Sequence, residues 1–126
     1  MIALITGATS GIGKASAELF AKNGWNLIMT GRRKDRLEKF ADDLQKKFKI
    51  KTLALNFDIR NLKDVVKNID SIKEEWRNID LLLNNAGLAS GLSTIQEGNI
   101  EDWEIMIDTN IKGLLYMTRY IAPLLI

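Results

Sequence analysis

A glycine-rich turn close to the first residue constrains the fold of this chain most. It has the sequence Thr6-Gly7-Ala8-Thr9-Ser10-Gly11-Ile12-Gly13, and it follows the short apolar run 2–5. Glycines let a backbone bend sharply and approach a phosphate closely, and a following helix offers free N–H groups to that phosphate. The pattern predicts a strand, a phosphate-binding turn and a helix. A glycine turn without a ligand is the alternative, and the position between strand and helix disfavours it.

Strands and helices alternate along the rest of the chain. Apolar runs predict strands at 2–5, 26–30, 51–56 and 80–84. Helical spacing predicts helices at 12–23 (with Ala15, Leu19 and Phe20 on the apolar face), at 34–47, after Asn61, and from 101 to 126 (with Trp103, Ile107, Ile111, Leu114 and Leu115 buried). Such alternation predicts one α/β domain over 1–126, a doubly wound Rossmann-type parallel sheet in the order 3-2-1-4.

The predicted fourth strand would lie at the edge of this sheet. Its sequence, Leu81-Leu82-Leu83, is typical of a central strand, and an apolar edge invites pairing with another strand. The apolar helical pattern also continues to Leu124-Leu125-Ile126 without a cap. We therefore expect residues 1–126 to be the N-terminal part of a larger domain, with a fifth strand beside the fourth.

The end of the second strand indicates which dinucleotide is bound. An acidic residue there would accept a hydrogen bond from the adenosine ribose, but this chain has Thr30-Gly31-Arg32-Arg33. Two guanidinium groups can bind a 2′-phosphate that a carboxylate would repel. The sequence therefore favours NADP over NAD. Solvated arginines at the start of a helix are the alternative, and cations are unfavourable there.

Three further segments provide candidate site residues. Asp58-Ile59 follows the third strand, where the carboxylate can accept from an adenine amino group or can cap a helix. Asn84-Asn85-Ala86-Gly87 ends the fourth strand, where small residues let the backbone pass under a cofactor. Asn110 lies inside a predicted helix, where Asn is unfavourable. A helical bend, a functional water site or a merely tolerated Asn would explain it.

Composition excludes several chemistries. The chain has no cysteine and no histidine, which rules out disulfides, thiolate nucleophiles, His-based metal sites and a Ser-His-Asp triad. No apolar run approaches the ~20 residues of a membrane span, so we expect a cytoplasmic protein that binds neither metal nor membrane. The basic stretch 32–51 is interpreted as a solvated helix face and not as a nucleic-acid surface, because no aromatic stacking pattern accompanies it.

These motifs together resemble the short-chain dehydrogenase/reductase family over all 126 residues. The matching segments are 6–13, Asp58, 84–87 and 110–113. Segments 84–89, 101–104, 106–110 and 112–119 resemble the subgroup of NADP-dependent 3-hydroxy acid (serine) dehydrogenases. The resemblance implies hydride transfer between NADP and an alcohol or carbonyl substrate, in a homo-oligomer that is often a tetramer. It assigns cofactor binding to Gly7, Thr9, Ser10, Gly11, Ile12, Gly13, Arg32, Arg33, Asp58, Ile59, Asn85, Ala86 and Gly87.

The catalytic group of that family is present only in part. Asn110 matches the family Asn that holds a water in a proton relay, whereas no Tyr-x-x-x-Lys occurs and Tyr116 is followed four positions later by Tyr120. We expect the catalytic Tyr, Lys and Ser beyond Ile126, and residues 1–126 alone to be inactive. A stand-alone nucleotide-binding module without catalysis is the alternative.

Overall fold

The computed structural model describes residues 1–9, 11–87 and 94–125. The strands are β1 (Ile2–Ile5), β2 (Asn26–Gly31), β3 (Thr52–Asn56) and β4 (Leu81–Leu83). The α-helices are α1 (Gly11–Lys22), α2 (Lys34–Phe48), α3 (Leu62–Asp70), α4 (Ile100–Ile107) and α5 (Leu114–Ile121). A π-helical segment (Asp108–Gly113) joins α4 to α5, and short 3-10 helices cover Glu74–Trp76, Ile95–Glu97 and Ala122–Leu124.

The strands form one parallel sheet in the order β3-β2-β1-β4, which confirms the predicted topology. Ile5 of β1 pairs with Met29 of β2 and with Leu83 of β4, so the carboxyl ends of these strands lie side by side. Parallel sheets with crossover helices are covered on both faces, which explains the continuous apolar runs of β1 and β2. The sheet therefore presents its polar turns together along one edge.

Alternate residues of the strands contribute to separate cores. Ile5 and Met29 face α1 and α2, whereas Leu4 and Ile28 face α3 and α5. This arrangement follows from the two-residue period of a strand and places helices on both faces, as expected for a doubly wound sheet. On α2, Leu37, Ala41 and Leu44 are buried on one face, Phe40 is partly buried against the same core, and the charged residues between them face solvent.

The predicted buried face of α1 was wrong. Ala15 is exposed and Leu19 is 62% exposed, whereas Gly13, Ala17 and Ala21 are buried. Small residues occupy the buried face because the helix packs closely against the sheet, and Phe20 packs at its border against Trp25. A prediction from hydrophobicity alone selects the larger side chains, because it does not take the close packing of α1 against the sheet into account.

The predicted continuous helix from 101 to 126 is interrupted by the π-helical segment. Its bonding pattern adds a residue to the turn, so the apolar face after it changes direction. Ile111, Leu114 and Leu115 are exposed instead of buried, as is Ile107 at the end of α4, and Trp103 is half-buried. The buried positions are Thr109, Gly113, Met117 and Ile121. Asn110 lies within the π-helical segment.

β4 is the edge strand, as predicted, and its leucines are only half-buried. Beyond α5 the backbone returns towards this edge. Ile79 forms an isolated parallel bridge with Leu125, and its N–H donates to the Leu124 carbonyl oxygen at 3.2 Å. These two contacts place Leu124 and Leu125 beside the segment that leads into β4. The expected fifth strand and the larger domain stay predictions.

Candidate functional site

A cavity of about 400 Å³ lies at the carboxyl ends of the strands. It is lined by Gly7, Thr9, Gly11, Ile12, Thr30, Gly31, Arg32, Arg33, Arg36, Phe57, Asp58, Ile59, Asn85, Ala86, Gly87 and Thr109. The carboxyl edge is where open parallel sheets bind ligands, because the turns from neighbouring strands meet there. The cavity brings together residues from the ends of all four strands, including most of the site residues predicted from the sequence.

One part of the cavity boundary, the glycine wall, consists of Gly7, Asn85 and Ala86, which line the cavity, and of Gly13, which packs behind them. Gly7 has a φ of +61°, and a Cβ on it would lie 2.8 Å from the Ala86 Cα. A Cβ on Gly13 would overlap the Gly7 carbonyl oxygen and the Asn85 side-chain nitrogen. Asn85 Nδ2 donates to that carbonyl oxygen at 3.0 Å. The β1–α1 turn and the turn after β4 therefore fit together only without side chains at positions 7 and 13.

Thr6 holds these two turns in register, and the sequence analysis did not place it in the site. Its side chain is buried, and Oγ1 accepts from the backbone N–H groups of Asn85 and Ala86, each at 3.0 Å. The backbone N–H of Thr6 donates to the Leu83 carbonyl oxygen at 3.1 Å. Thr6 was visible in the motif, but its bonding to a turn about 80 residues later required the fold.

A second part of the cavity lining, the arginine wall, consists of Arg32, Arg33 and Arg36 at the start of α2. All three side chains are exposed and line the cavity. The backbone before them is fixed, because Ala8 N–H donates to the Thr30 carbonyl oxygen at 3.3 Å and Asn56 Nδ2 donates to the Gly31 carbonyl oxygen at 2.9 Å. Three cations at a helix N-terminus are unfavourable unless an anion lies nearby. The arginine wall is therefore suited to a phosphate.

Asp58 lies beside the arginine wall and is paired with Arg60. Arg60 Nη2 approaches Asp58 Oδ2 at 2.6 Å, and Nε donates to both carboxylate oxygens at 3.0–3.1 Å. Burial raises the pKa of Asp58, but the hydrogen bonds and charge of Arg60, with a smaller contribution from Arg32, lower it below its usual value overall. The carboxylate is therefore ionised at neutral pH and accepts hydrogen bonds only.

Asp58 is not the helix cap that the alternative interpretation required. Asn61 caps α3, with Oδ1 accepting from the Asp64 N–H at 3.2 Å, as its position predicted. Asp58 is thereby left to line the cavity together with Ile59. Its interpretation as an acceptor for an adenine amino group stays a prediction.

The predicted residues 84 and 110 lie beside the cavity and are not part of its lining. Asn84 Nδ2 donates to Thr118 Oγ1 at 2.9 Å, which ties β4 to a side chain of α5. Asn110 lies in the π-helical segment, and its Oδ1 would be 3.0 Å from a Cβ on Gly87. The Asn110 amide therefore lies at the rim formed by Gly87.

The other predicted site residues are distributed as follows. Ser10 lies outside the described residues. Gly13 lies beneath the turn and supports the cavity without lining it.

In the described parts of the chain, no group of three or more Asp or Glu side chains is close enough to hold a metal ion, and no helix is long and apolar enough to cross a bilayer.

The model of the short chain dehydrogenase family matches residues 1–126. The chain belongs to the short-chain dehydrogenase family. NADP-dependent 3-hydroxy acid dehydrogenase YdfG of Salmonella typhi is 46% identical over 123 residues, which are 98% of this chain and 48% of that protein. Sulfoacetaldehyde reductase 2 of Chromohalobacter salexigens is 47% identical over 125 residues, which are 99% of this chain and 49% of that protein.

A solved structure of a related short-chain dehydrogenase supports the same fold. The closed form of a serine dehydrogenase complexed with NADP+ superposes with a TM-score of 0.89 and 43% identity, over 98% of this chain and 48% of that one. The chain thus spans about half the length of the relatives that it matches. The expected family and the order of the strands are confirmed.

Some cavity residues were missed by the sequence analysis. Arg36 lies three positions after Arg33, the N-cap residue of α2, so the period of the helix could have indicated it. Phe57 could have been inferred from its position between β3 and Asp58. Thr30 belongs to the segment Thr30-Gly31-Arg32-Arg33, in which only the arginines were predicted to contact the cofactor. Thr109 precedes Asn110 and lines the cavity because of the π-helical segment, which no sequence pattern revealed.

Proposed function

We propose that the protein containing this sequence binds NADP in the cavity and transfers a hydride between it and an alcohol or carbonyl substrate, of which 3-hydroxy acids such as serine are the favoured class. The observation that carries the proposal is that the arginine wall and the glycine-rich turn line the same cavity. A dinucleotide phosphate can approach the turn at Gly11, and a second phosphate can lie among the arginines.

The residues present fit this cofactor. A Cβ on Gly11 would meet nothing within 4 Å, so the space beside this turn is open to a ligand. Its φ of +55° and the free N–H groups at the start of α1 suit a bound phosphate. Arg32 and Arg33 supply the charge that a 2′-phosphate requires, where an acidic residue would favour NAD. When bound, NADP supplies the group that donates or accepts the hydride.

The residues of this chain bind and orient the cofactor. The glycine wall lets the backbone approach the cofactor closely, and Thr6 keeps the turns that form it from separating. In this proposal Asp58 accepts a hydrogen bond from the adenine amino group, and Asn110 holds a water for proton transfer, as the family resemblance implies. The groups that transfer the proton to the substrate are not among residues 1–126.

The substrate class rests on relatives. Proteins named for 3-hydroxy acid dehydrogenation and for sulfoacetaldehyde reduction have nearly equal identity to this chain, 46% and 47%. Both substrates are small and carry an acidic group. The subgroup motifs in segments 84–89 and 106–110 favour the 3-hydroxy acids.

Titration and turnover of the full-length natural protein test the proposal. We expect NADPH to bind at least about tenfold more tightly than NADH, since charge-assisted hydrogen bonds to the 2′-phosphate contribute about 1.5–3 kcal/mol each. We also expect NADP reduction with serine or another 3-hydroxy acid. Equal affinity for both cofactors would contradict the choice of NADP. Tight NADPH binding without turnover of any alcohol or carbonyl would instead support a non-catalytic module.

We further propose that the protein is a homo-oligomer, in which the exposed apolar side of α4 and α5 contacts a second copy. Ile107, Ile111, Leu114 and Leu115 are 39–58% exposed and lie on consecutive turns. A contiguous apolar surface of this kind favours association. Sedimentation of the full-length protein tests this, with a dimer or tetramer expected. Ile111→Lys with Leu115→Lys should shift it to a smaller species, and an unchanged assembly would contradict this interface.

A further inference from the structure

Thr109 is one of the residues that line the cavity, and its buried hydroxyl has no hydrogen-bond partner in the described parts of the chain. The residue is only 8% exposed, and its Oγ1 is fully buried and unpaired. Thr118, on α5, shows the usual arrangement, with Oγ1 donating to the Leu114 carbonyl oxygen at 2.8 Å and accepting from Asn84. Buried hydroxyls are nearly always paired, so an unpaired one in a cavity wall indicates a ligand that supplies its partner.

The π-helical segment that contains Thr109 packs against Ile59, at the corner of the cavity formed by Asp58 and Ile59. One turn after Thr109, a Cβ on Gly113 would lie 2.7 Å from the Ile59 side chain, so the helix lies directly against that residue. One residue before it, Asp108 is close enough to contribute to the raised pKa of Arg60, whose main cause is its hydrogen bond to Asp58. Neighbours of Thr109 on both sides thus face residues 58–60.

We propose that Thr109 Oγ1 hydrogen-bonds to the edge of the adenine ring, beside the amino group from which Asp58 accepts a hydrogen bond. The inference rests on the proposed function. An adenine edge presents a donor, the amino group, next to ring-nitrogen acceptors. The Asp58 carboxylate can only accept, so it satisfies the amino group alone, whereas a hydroxyl can donate to a ring nitrogen. The phosphates are accounted for by the arginine wall and the turn at Gly11.

Thr109→Val tests this assignment, because valine keeps the branched shape and removes only the hydroxyl. The probes are NADPH and 2′,5′-ADP, which contains the adenosine half of the cofactor and lacks nicotinamide. We expect the dissociation constants of both probes to rise by the same factor, about 3- to 10-fold, as for the loss of one neutral hydrogen bond. Thr109→Ser, which retains the hydroxyl, should bind both probes within about twofold of wild type.

A second readout separates ligand binding from a structural role. Because the hydroxyl of Thr109 is unpaired without cofactor, Thr109→Val should leave the thermal midpoint of the cofactor-free protein unchanged or raise it. Thr52→Val is the matched control at the amino end of β3, where Oγ1 lies 3.3 Å from the Ala41 carbonyl oxygen and 3.2 Å from Gln45 Oε1. It should leave the affinity for both probes unchanged.

The outcomes separate this inference from the proposed function. A wild-type protein that fails to bind NADPH overturns both. Normal NADPH binding by wild type with unchanged affinity in Thr109→Val overturns this inference alone. A loss confined to NADPH places the hydroxyl at the other half of the cofactor and also overturns it. A lowered thermal midpoint with normal affinity would show that Thr109 is structural, which contradicts the proposal as well.

Discussion

The glycine wall and the arginine wall face the same cavity but are held in place differently. The glycine wall is made of backbone, and its members contact one another so closely that a Cβ on Gly7 would lie 2.8 Å from the Ala86 Cα. The arginine wall is made of exposed side chains, and Arg32 and Arg33 form no ion pair with any residue that the structure describes. Changes in the first wall therefore affect the fold, and changes in the second affect the ligand.

This difference assigns separate tasks to the walls. Packing of the glycine wall determines where a dinucleotide can lie, because β1, α1 and the turn after β4 meet there. The charges of the arginine wall determine which dinucleotide is preferred. Substitutions in the glycine wall should therefore change stability, and substitutions in the arginine wall should change cofactor preference. Asp58 is partly buried and ion-paired, so its substitution should have a small effect on both stability and cofactor binding.

The largest effect is expected from Gly13→Ala. The added Cβ would overlap the Gly7 carbonyl oxygen, which belongs to the backbone, and the Asn85 side-chain amide, which donates to that same oxygen. Overpacking of a core typically costs about 1–3 kcal/mol, and overlap with backbone should reach or exceed the upper end. Urea unfolding monitored by circular dichroism measures this change.

Gly24→Ala is the matched control for that substitution. Gly24 has a φ of +83°, but a Cβ there would meet nothing within 4 Å, so only backbone strain of about 1–2 kcal/mol is added. Its NADPH affinity should equal that of wild type. If Gly13→Ala were as stable as Gly24→Ala, the close packing of the glycine wall would be refuted.

The next largest effect is expected from Arg32→Asp combined with Arg33→Ala. Loss of two charge-assisted hydrogen bonds should weaken NADPH binding by about 100-fold or more, while NADH binding should change by no more than about threefold. The free energy of unfolding should stay within about 0.5 kcal/mol of wild type, because both side chains are exposed. Fluorescence titration with both cofactors provides the comparison.

Lys46→Asp combined with Lys47→Ala makes the same change in net charge at the last turn of α2. Both lysines are exposed and lie outside the cavity lining, so this control should retain the NADPH affinity of wild type. An equal loss of NADPH affinity in both double variants would indicate a long-range charge effect. Equal losses for NADPH and NADH in the arginine variant would show that the arginine wall does not contact the 2′-phosphate.

The smallest effect is expected from Asp58→Asn, which should change how the free energy of unfolding depends on pH. The pKa of Asp58 is lowered in the folded protein, so its ion pair with Arg60 stabilises the fold above the unfolded pKa, and this contribution is lost as pH falls through the folded value. The free energy of unfolding of wild type should exceed that of the variant by up to about 1 kcal/mol at neutral pH.

Unfolding by urea across pH 2.5–7 checks that expectation. The difference between wild type and Asp58→Asn should shrink below pH ~3.9, the ordinary pKa of an aspartate. A difference that grows as pH falls would have the opposite sign and would contradict the ion-pair assignment. Arg60→Gln should show the same pH dependence, because it removes the other partner of the pair.

The order of strands and most of the cavity could be predicted because they depend on local patterns. Alternating elements and right-handed crossovers leave few possible sheets, and the carboxyl ends of parallel strands meet by necessity. Gly7, Arg32, Asp58 and Asn85 each follow a strand, so their convergence could be foreseen.

Other features depend on contacts between distant parts of the chain. The small residues on the buried face of α1 reflect its close approach to the sheet, and Thr6 bonds to Asn85 only because β1 and β4 are neighbours. The π-helical segment changed the buried face after Ile107, and this change brought Thr109 to the cavity. A regular helical period cannot describe a turn that contains an additional residue.

A crystal structure of the full-length protein with NADPH bound tests the central claim most directly. The account predicts the 2′-phosphate within hydrogen-bond distance of Arg32 and Arg33, and the pyrophosphate against the turn at Gly11. A cofactor bound elsewhere, or one with its 2′-phosphate in solvent and away from the arginine wall, would contradict it.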